Sequence, residues 1–146
     1  MISMSVRAFL DTNVIVYSFD NRDPRKQEKA LSILNMFFTQ DCYYISTQIV
    51  QEFCNVALTK MHSRMDLSTV REFIGTFPEQ RVCDIDMSTI DYALHVKDSF
   101  GYSFWDSLVL ASAVRAGCSM LYTEDMSHGQ VIEGVTIQNP FSSDDL

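Results

Sequence analysis

Along the whole chain, short runs of branched and aromatic residues alternate with longer segments whose apolar residues recur every three or four positions. That alternation is the strongest constraint on the fold. It predicts strands at Val6 to Leu10, Tyr43 to Ser46, Arg81 to Ile85, Ser119 to Thr123 and Gly134 to Gln138. It predicts helices at Pro24 to Thr39, Thr47 to Lys60, Leu67 to Phe77, Ser88 to Phe100 and Phe104 to Ala116. Pro24 suits a first helical turn, and Gly101 and Gly117 fall just past helix ends. Strands that alternate with helices form a parallel sheet covered on both faces, and such buried strands read as continuous apolar runs. Ligands of these sheets bind beyond the carboxyl ends of the strands, near the point where strand order reverses.

A chain of 146 residues supports one compact domain, expected over residues 1–141, with a frayed tail over residues 142–146. The 47% apolar share is enough for a buried core and argues against disorder. No apolar run approaches a membrane span or a secretory signal, so a cytoplasmic location is expected. Cys42, Cys54, Cys83 and Cys118 are dispersed, as are His62, His95 and His128, which gives a zinc site little support. The thiols read as small core residues in a reducing compartment. The net charge of −8 opposes contact with nucleic acid. The cations are grouped locally, however: Arg22, Arg25, Lys26 and Lys29, then Lys60, His62 and Arg64. Solvated helix faces would look the same.

The acids fall unevenly with respect to this frame. Asp11 directly follows the first expected strand, and Asp125 follows the fourth. Glu52 lies early in the helix after the second strand, on a polar stripe with Gln48, Asn55 and Thr59. Asp106 sits in the first turn of an otherwise apolar helix, where Ser103-Phe104-Trp105-Asp106 also fits a capping box. All four can face the carboxyl edge of the sheet. Asp20, Asp23, Asp84, Asp86, Asp91, Asp98 and Glu124 read as turn, cap or solvated residues. If the four acids converge, their repulsion demands a proton or a cation. Oxygen-only ligands select a hard divalent ion, Mg²⁺ or Mn²⁺, which can activate water and polarise a phosphoryl oxygen.

These residues resemble those of PIN-domain ribonucleases, especially VapC-like toxins of toxin–antitoxin pairs. The segments that carry the resemblance are Phe9 to Tyr17, Ser46 to Asn55, Tyr102 to Leu108 and Leu121 to Met126, and it continues through Gly129 to Val135 and Asn139 to Phe141. The resemblance implies a three-layer α/β/α sandwich with a central parallel sheet of about five strands. It implies that Asp11, Glu52, Asp106 and Asp125 ring a Mg²⁺ or Mn²⁺ site, and that Thr12, Asn13 and Thr123 orient the acids or the scissile phosphate. It further implies RNA as substrate, a homodimer, and an antitoxin protein as partner. In the corresponding mechanism Asp11, Asp106 and Asp125 hold the cation, while Glu52 acts through a water or accepts a proton.

Two other readings compete. One is an acidic-pocket phosphotransfer domain, although Asp11-Thr12-Asn13 lacks a second acid and no Lys follows the late strands. The other is a catalytically silent module of the same fold that binds RNA or protein. Trp105 could stack on a base but is expected in the core. Phe37, Phe38, Phe53, Phe73 and Phe77 fit a core or an interface, and exposed apolar residues between Pro24 and Phe77 would mark a docking face.

Overall fold

The computed structural model describes residues 6–142. Except for Ser142 itself, the tail expected to fray lies outside the described residues. Strand β1 (Ala8–Leu10) leads directly into the short helix α1 (Thr12–Tyr17), followed by α2 (Pro24–Gln40) and β2 (Tyr43–Ser46). Next come α3 (Thr47–Thr59), α4 (Leu67–Ile74), a 3-10 turn (Glu79–Arg81) and β3 (Val82–Cys83). Helices α5 (Met87–Phe100) and α6 (Phe104–Arg115) precede β4 (Met120–Tyr122), β5 (Val131–Ile132) and β6 (Val135–Gln138). No described helix is long and apolar enough to cross a membrane.

The strands form one sheet in the order β3-β2-β1-β4-β6-β5. All neighbours are parallel except β5 and β6. From β1 the chain moves outward to β2 and β3, then returns across β1 to β4. Right-handed crossovers in opposite directions place their helices on opposite faces. The helix contacts divide accordingly: α1 packs on α2 and α3, α3 on α4, and α5 on α6. The result is the expected α/β/α sandwich. Strand order reverses between β1 and β4, which pair through Phe9 and Leu121.

Burial on both faces explains why β1 lacks alternation: Ala8, Phe9 and Leu10 are all fully buried. Helix α6 is buried almost all round, from Ser107 to Ala113, which matches its lack of charge. Asp23, Asp66 and Asp86 cap α2, α4 and α5, accepting bonds from Lys26 N, Thr69 N and Thr89 N. Two of the acids set aside as caps or loop residues thus have structural employment.

The sheet differs from expectation at its edges and in number. It has six strands rather than about five, because Val131–Ile132 forms an antiparallel edge hairpin with β6. The two-residue turn Glu133-Gly134 has both residues at positive φ, 50° and 84°, the geometry that matches strand twist. Helix α1 was not expected, and β3 is shorter than Arg81 to Ile85. Helix α4 stops at Ile74 rather than Phe77, since Thr76 N and Thr76 Oγ1 both turn back to Phe73 O. Phe37 and Phe53 are core residues, and Phe19, Phe53, Phe73 and Phe77 form a chain of ring contacts.

Candidate active site

Asp11 leaves the carboxyl end of β1 and becomes the N-cap of α1, with Oδ1 accepting from Thr12 N at 2.7 Å. Its Oδ2 accepts from Thr123 Oγ1 at 2.7 Å, immediately beyond β4. The adjacent strands therefore join residues 112 positions apart at the reversal of strand order. Thr123 is fully buried, and its hydroxyl also accepts from Asp125 N at 3.1 Å and Asn13 Nδ2 at 3.4 Å. Asn13 reaches across from α1, donating to Asp125 Oδ2 at 3.0 Å and accepting from Glu124 N at 3.3 Å. Thr12, Asn13 and Thr123 thus hold the two strand-end acids in place.

Glu52 comes from α3. Thr12 Oγ1 donates to its Oε2 at 2.7 Å, and Gln48 Nε2, one turn earlier, donates to its Oε1 at 3.0 Å. The Gln48 amide also donates to Trp105 O at 3.2 Å, which ties α3 to the start of α6. Gln48 is buried, and its Oε1 has no protein partner among the described residues. An amide kept inside with one unpaired oxygen carries a cost. Asp106 sits in the first turn of α6, where its backbone N–H donates to Ser103 Oγ at 3.1 Å. The cap is thus Ser103, whose hydroxyl also bonds the Asp106 carboxyl and partly opposes its upward shift.

Asp11 and Asp106 each feel the charges of Asp125 and Glu52. Burial pushes the Asp11 carboxyl up to about 7, against the lowering bonds from Thr123 and Thr12 and with added repulsion from Asp125 and Glu52. Burial also pushes Asp106 above the usual carboxylate range, followed by the charge of Asp125 and, more weakly, that of Glu52. The cluster is short of positive charge. Cations stand nearby without neutralising it: a cleft of about 460 Å³ runs from Thr12, Asn13, Glu52 and Asp125 to Arg22 and Lys60. Arg22 is held by a two-pronged bond to Asp20.

Among the described residues, no three carboxylate, imidazole or thiol groups form a ready-made cation cage. The donor set nonetheless fits a hard divalent ion. Every available ligand is an oxygen, Asp11 and Asp106 are driven toward protonation by burial and by the charges of Asp125 and Glu52, and Mg²⁺ commonly takes only one or two carboxylates and keeps its waters.

Several features were not read from the sequence. Trp105 is 62% exposed rather than in the core. Gln48 bridges two layers, although its four-residue spacing from Glu52 was the available signal. Glu124 enters a third group: its Oε1 accepts from Tyr17 OH at 2.6 Å and its Oε2 pairs with Lys26 Nζ at 2.6 Å. That contact fixes the segment carrying Asp125 to α1 and α2.

A family model described as PIN domain matches residues 8–131. A solved toxin–antitoxin complex from Klebsiella pneumoniae has 20% identity and a TM-score of 0.67, covering 92% of this chain and 98% of that one. VapBC2 from Rickettsia felis, bound to a DNA fragment from its promoter, has 16% identity, a TM-score of 0.67 and the same coverage. VapC20 from Mycobacterium tuberculosis, described as a sarcin-ricin loop cleaving toxin, has 17% identity and a TM-score of 0.56, over 78% of this chain and 86% of that one. No curated protein gave a match.

Proposed function

The chain belongs to the PIN domain family, and from that premise we propose that it is a Mg²⁺- or Mn²⁺-dependent ribonuclease, the toxin of a toxin–antitoxin pair acting in the cytoplasm. The observation that carries this reading is that Thr12 and Thr123 link Asp11 to Glu52 and to the strand end bearing Asp125 at the reversal of strand order, with Asp106 in the field of Glu52 and Asp125. The similar fold of the solved toxin structures supports it.

Asp11, Asp106 and Asp125 would hold the cation. Such an ion, when bound, activates a water and stabilises charge on the phosphoryl oxygens. The chain's own residues set the rest. Thr123 and Thr12 keep Asp11 in one rotamer, and Asn13 does the same for Asp125. Glu52 keeps lone pairs free on both oxygens beyond the bonds from Thr12 and Gln48, so it can accept a proton from water. Arg22 and Lys60 line the adjoining cleft, where they can meet backbone phosphates despite the overall charge of −8. The net reaction adds one water and breaks one phosphorus–oxygen bond of the RNA backbone.

An antitoxin and a second copy of the chain are the proposed partners. Leu31, Phe38 and Leu67 stand exposed on the helices where a docking face was expected. The test is cleavage of total cellular RNA with Mg²⁺, with Mn²⁺ and with EDTA, comparing wild type with Asp106→Asn. Metal-dependent cleavage lost in the variant is expected. Binding without cleavage under every condition would favour the silent module and end the nuclease reading.

A further inference from the structure

A second hollow also borders Glu52. It has a volume of about 340 Å³ and is lined by Gln48, Gln51, Glu52, Asn55 and Trp105. Four of these lie on one stripe of α3, at spacings of three and four residues. Gln51 and Asn55 are exposed, so their amides are free to meet a ligand. The fifth wall is the indole of Trp105, 62% exposed and braced edge-on by Phe104, with ring centroids 5.2 Å apart.

An exposed indole offers a flat face that a ligand or partner can cover. The surroundings indicate which. Apart from Trp105, every lining residue is an amide or an acid, and none of the other large exposed apolar residues borders the hollow. A protein helix would need a broader apolar groove. A nucleobase needs one flat aromatic face and a few amide donors and acceptors at its edge. The position is also right for a substrate already engaged at the acids. Trp105 is next to Asp106 in the chain, and Gln48 bonds both Glu52 and the Trp105 carbonyl. The backbone that carries the indole is therefore tied to Glu52 through Gln48 rather than held by a loose loop.

The geometry points to a base-binding subsite: an unpaired nucleobase next to the scissile phosphate stacks on Trp105, and Gln51 and Asn55 read its edge. This rests on the ribonuclease reading above. It makes the substrate RNA with at least one unstacked base beside the cut, since a base inside a duplex cannot reach the indole. Trp105 is the single tryptophan of the chain, so its fluorescence reports on the subsite alone.

The experiment has two arms. In the first, Asp11→Asn protein with Mg²⁺ is titrated with a short single-stranded oligoribonucleotide and with an abasic ribose-phosphate oligomer of equal length. Saturable quenching by the first and none by the second is expected. In the second, steady-state cleavage is compared for wild type, Trp105→Phe and Trp105→Ala. Loss of the stack should raise KM about tenfold or more in Trp105→Ala, with kcat within about threefold and Trp105→Phe between. Equal quenching by the abasic oligomer overturns the proposal. So does an unchanged KM in Trp105→Ala, which would leave the indole as an anchor for a protein partner. Failure of the nuclease reading is separate: wild type would then cut no RNA, whatever the fluorescence shows.

Discussion

Replacing Asp11 by Asn should stabilise the metal-free protein at pH 8 and leave it almost unchanged at pH 5. The carboxyl is 4% exposed and its folded-state value rises from 3.8 to about 7. The folded protein therefore binds an extra proton between those values, and wild-type stability falls as pH rises from about 4 to about 7. Above that window the penalty is constant at about 4 kcal/mol, while at pH 5 it is only about 1.5 kcal/mol. The amide carries no such penalty but loses one bond, because Thr123 Oγ1 now faces an N–H instead of an acceptor. That loss is about 1–2 kcal/mol. The balance favours the variant by about 2–3 kcal/mol at pH 8 and by almost nothing at pH 5. At about 3 °C per kcal/mol for a chain of this size, Tm should rise by about 6–9 °C at pH 8. Thermal melts in EDTA at the two pH values measure this. Adding Mg²⁺ at pH 8 should narrow the gap, because a bound ligand stabilises wild type by about 2.7 kcal/mol at a hundredfold excess over Kd. A variant less stable than wild type at pH 8, or a gap that ignores pH, would refute the claim that Asp11 is buried without a neutralising partner.

Thr123→Val removes the hydroxyl that donates to Asp11 and accepts from Asp125 N and Asn13. Urea unfolding should show a loss of about 2–4 kcal/mol, and cleavage should fall with it. Phe53→Ala opens a cavity where Phe19, Phe53 and Phe73 meet, and the same measurement should show a loss of about 3–5 kcal/mol.

The central elements were legible because burial writes itself into composition. Phe9 and Leu10 are wholly apolar, the run from Leu108 to Ala113 is interrupted only by the small Ser112, and β2 was placed to the residue. The edges were not, because little is buried there to leave a pattern. Strand β5 contributes only Val131 and Ile132, with Val131 60% exposed, and its turn is Glu133-Gly134 rather than the Asn-Gly or Asp-Gly that usually marks a hairpin. Helix α1 hid for another reason. Val14, Ile15 and Val16 favour strands, and the cap from Asp11 with packing on α2 and α3 makes the segment helical. At the site, Asp11 and Asp125 could be placed by their strands. The Gln48 bridge and the outward turn of Trp105 depend on how α3 and α6 meet, which spacing within either helix does not encode.

The pairing of β1 with β4 has a consequence for the order in which the protein comes into being. Asp11 is made early, but Asp106, Thr123 and Asp125 come from the last third of the chain. An unfinished polypeptide has Asp11 and Glu52 without Asp106 and Asp125, and β1 without the strand β4 that pairs with it. The four acids, and with them the proposed ribonuclease activity, can come together only when nearly the whole described chain is available to fold.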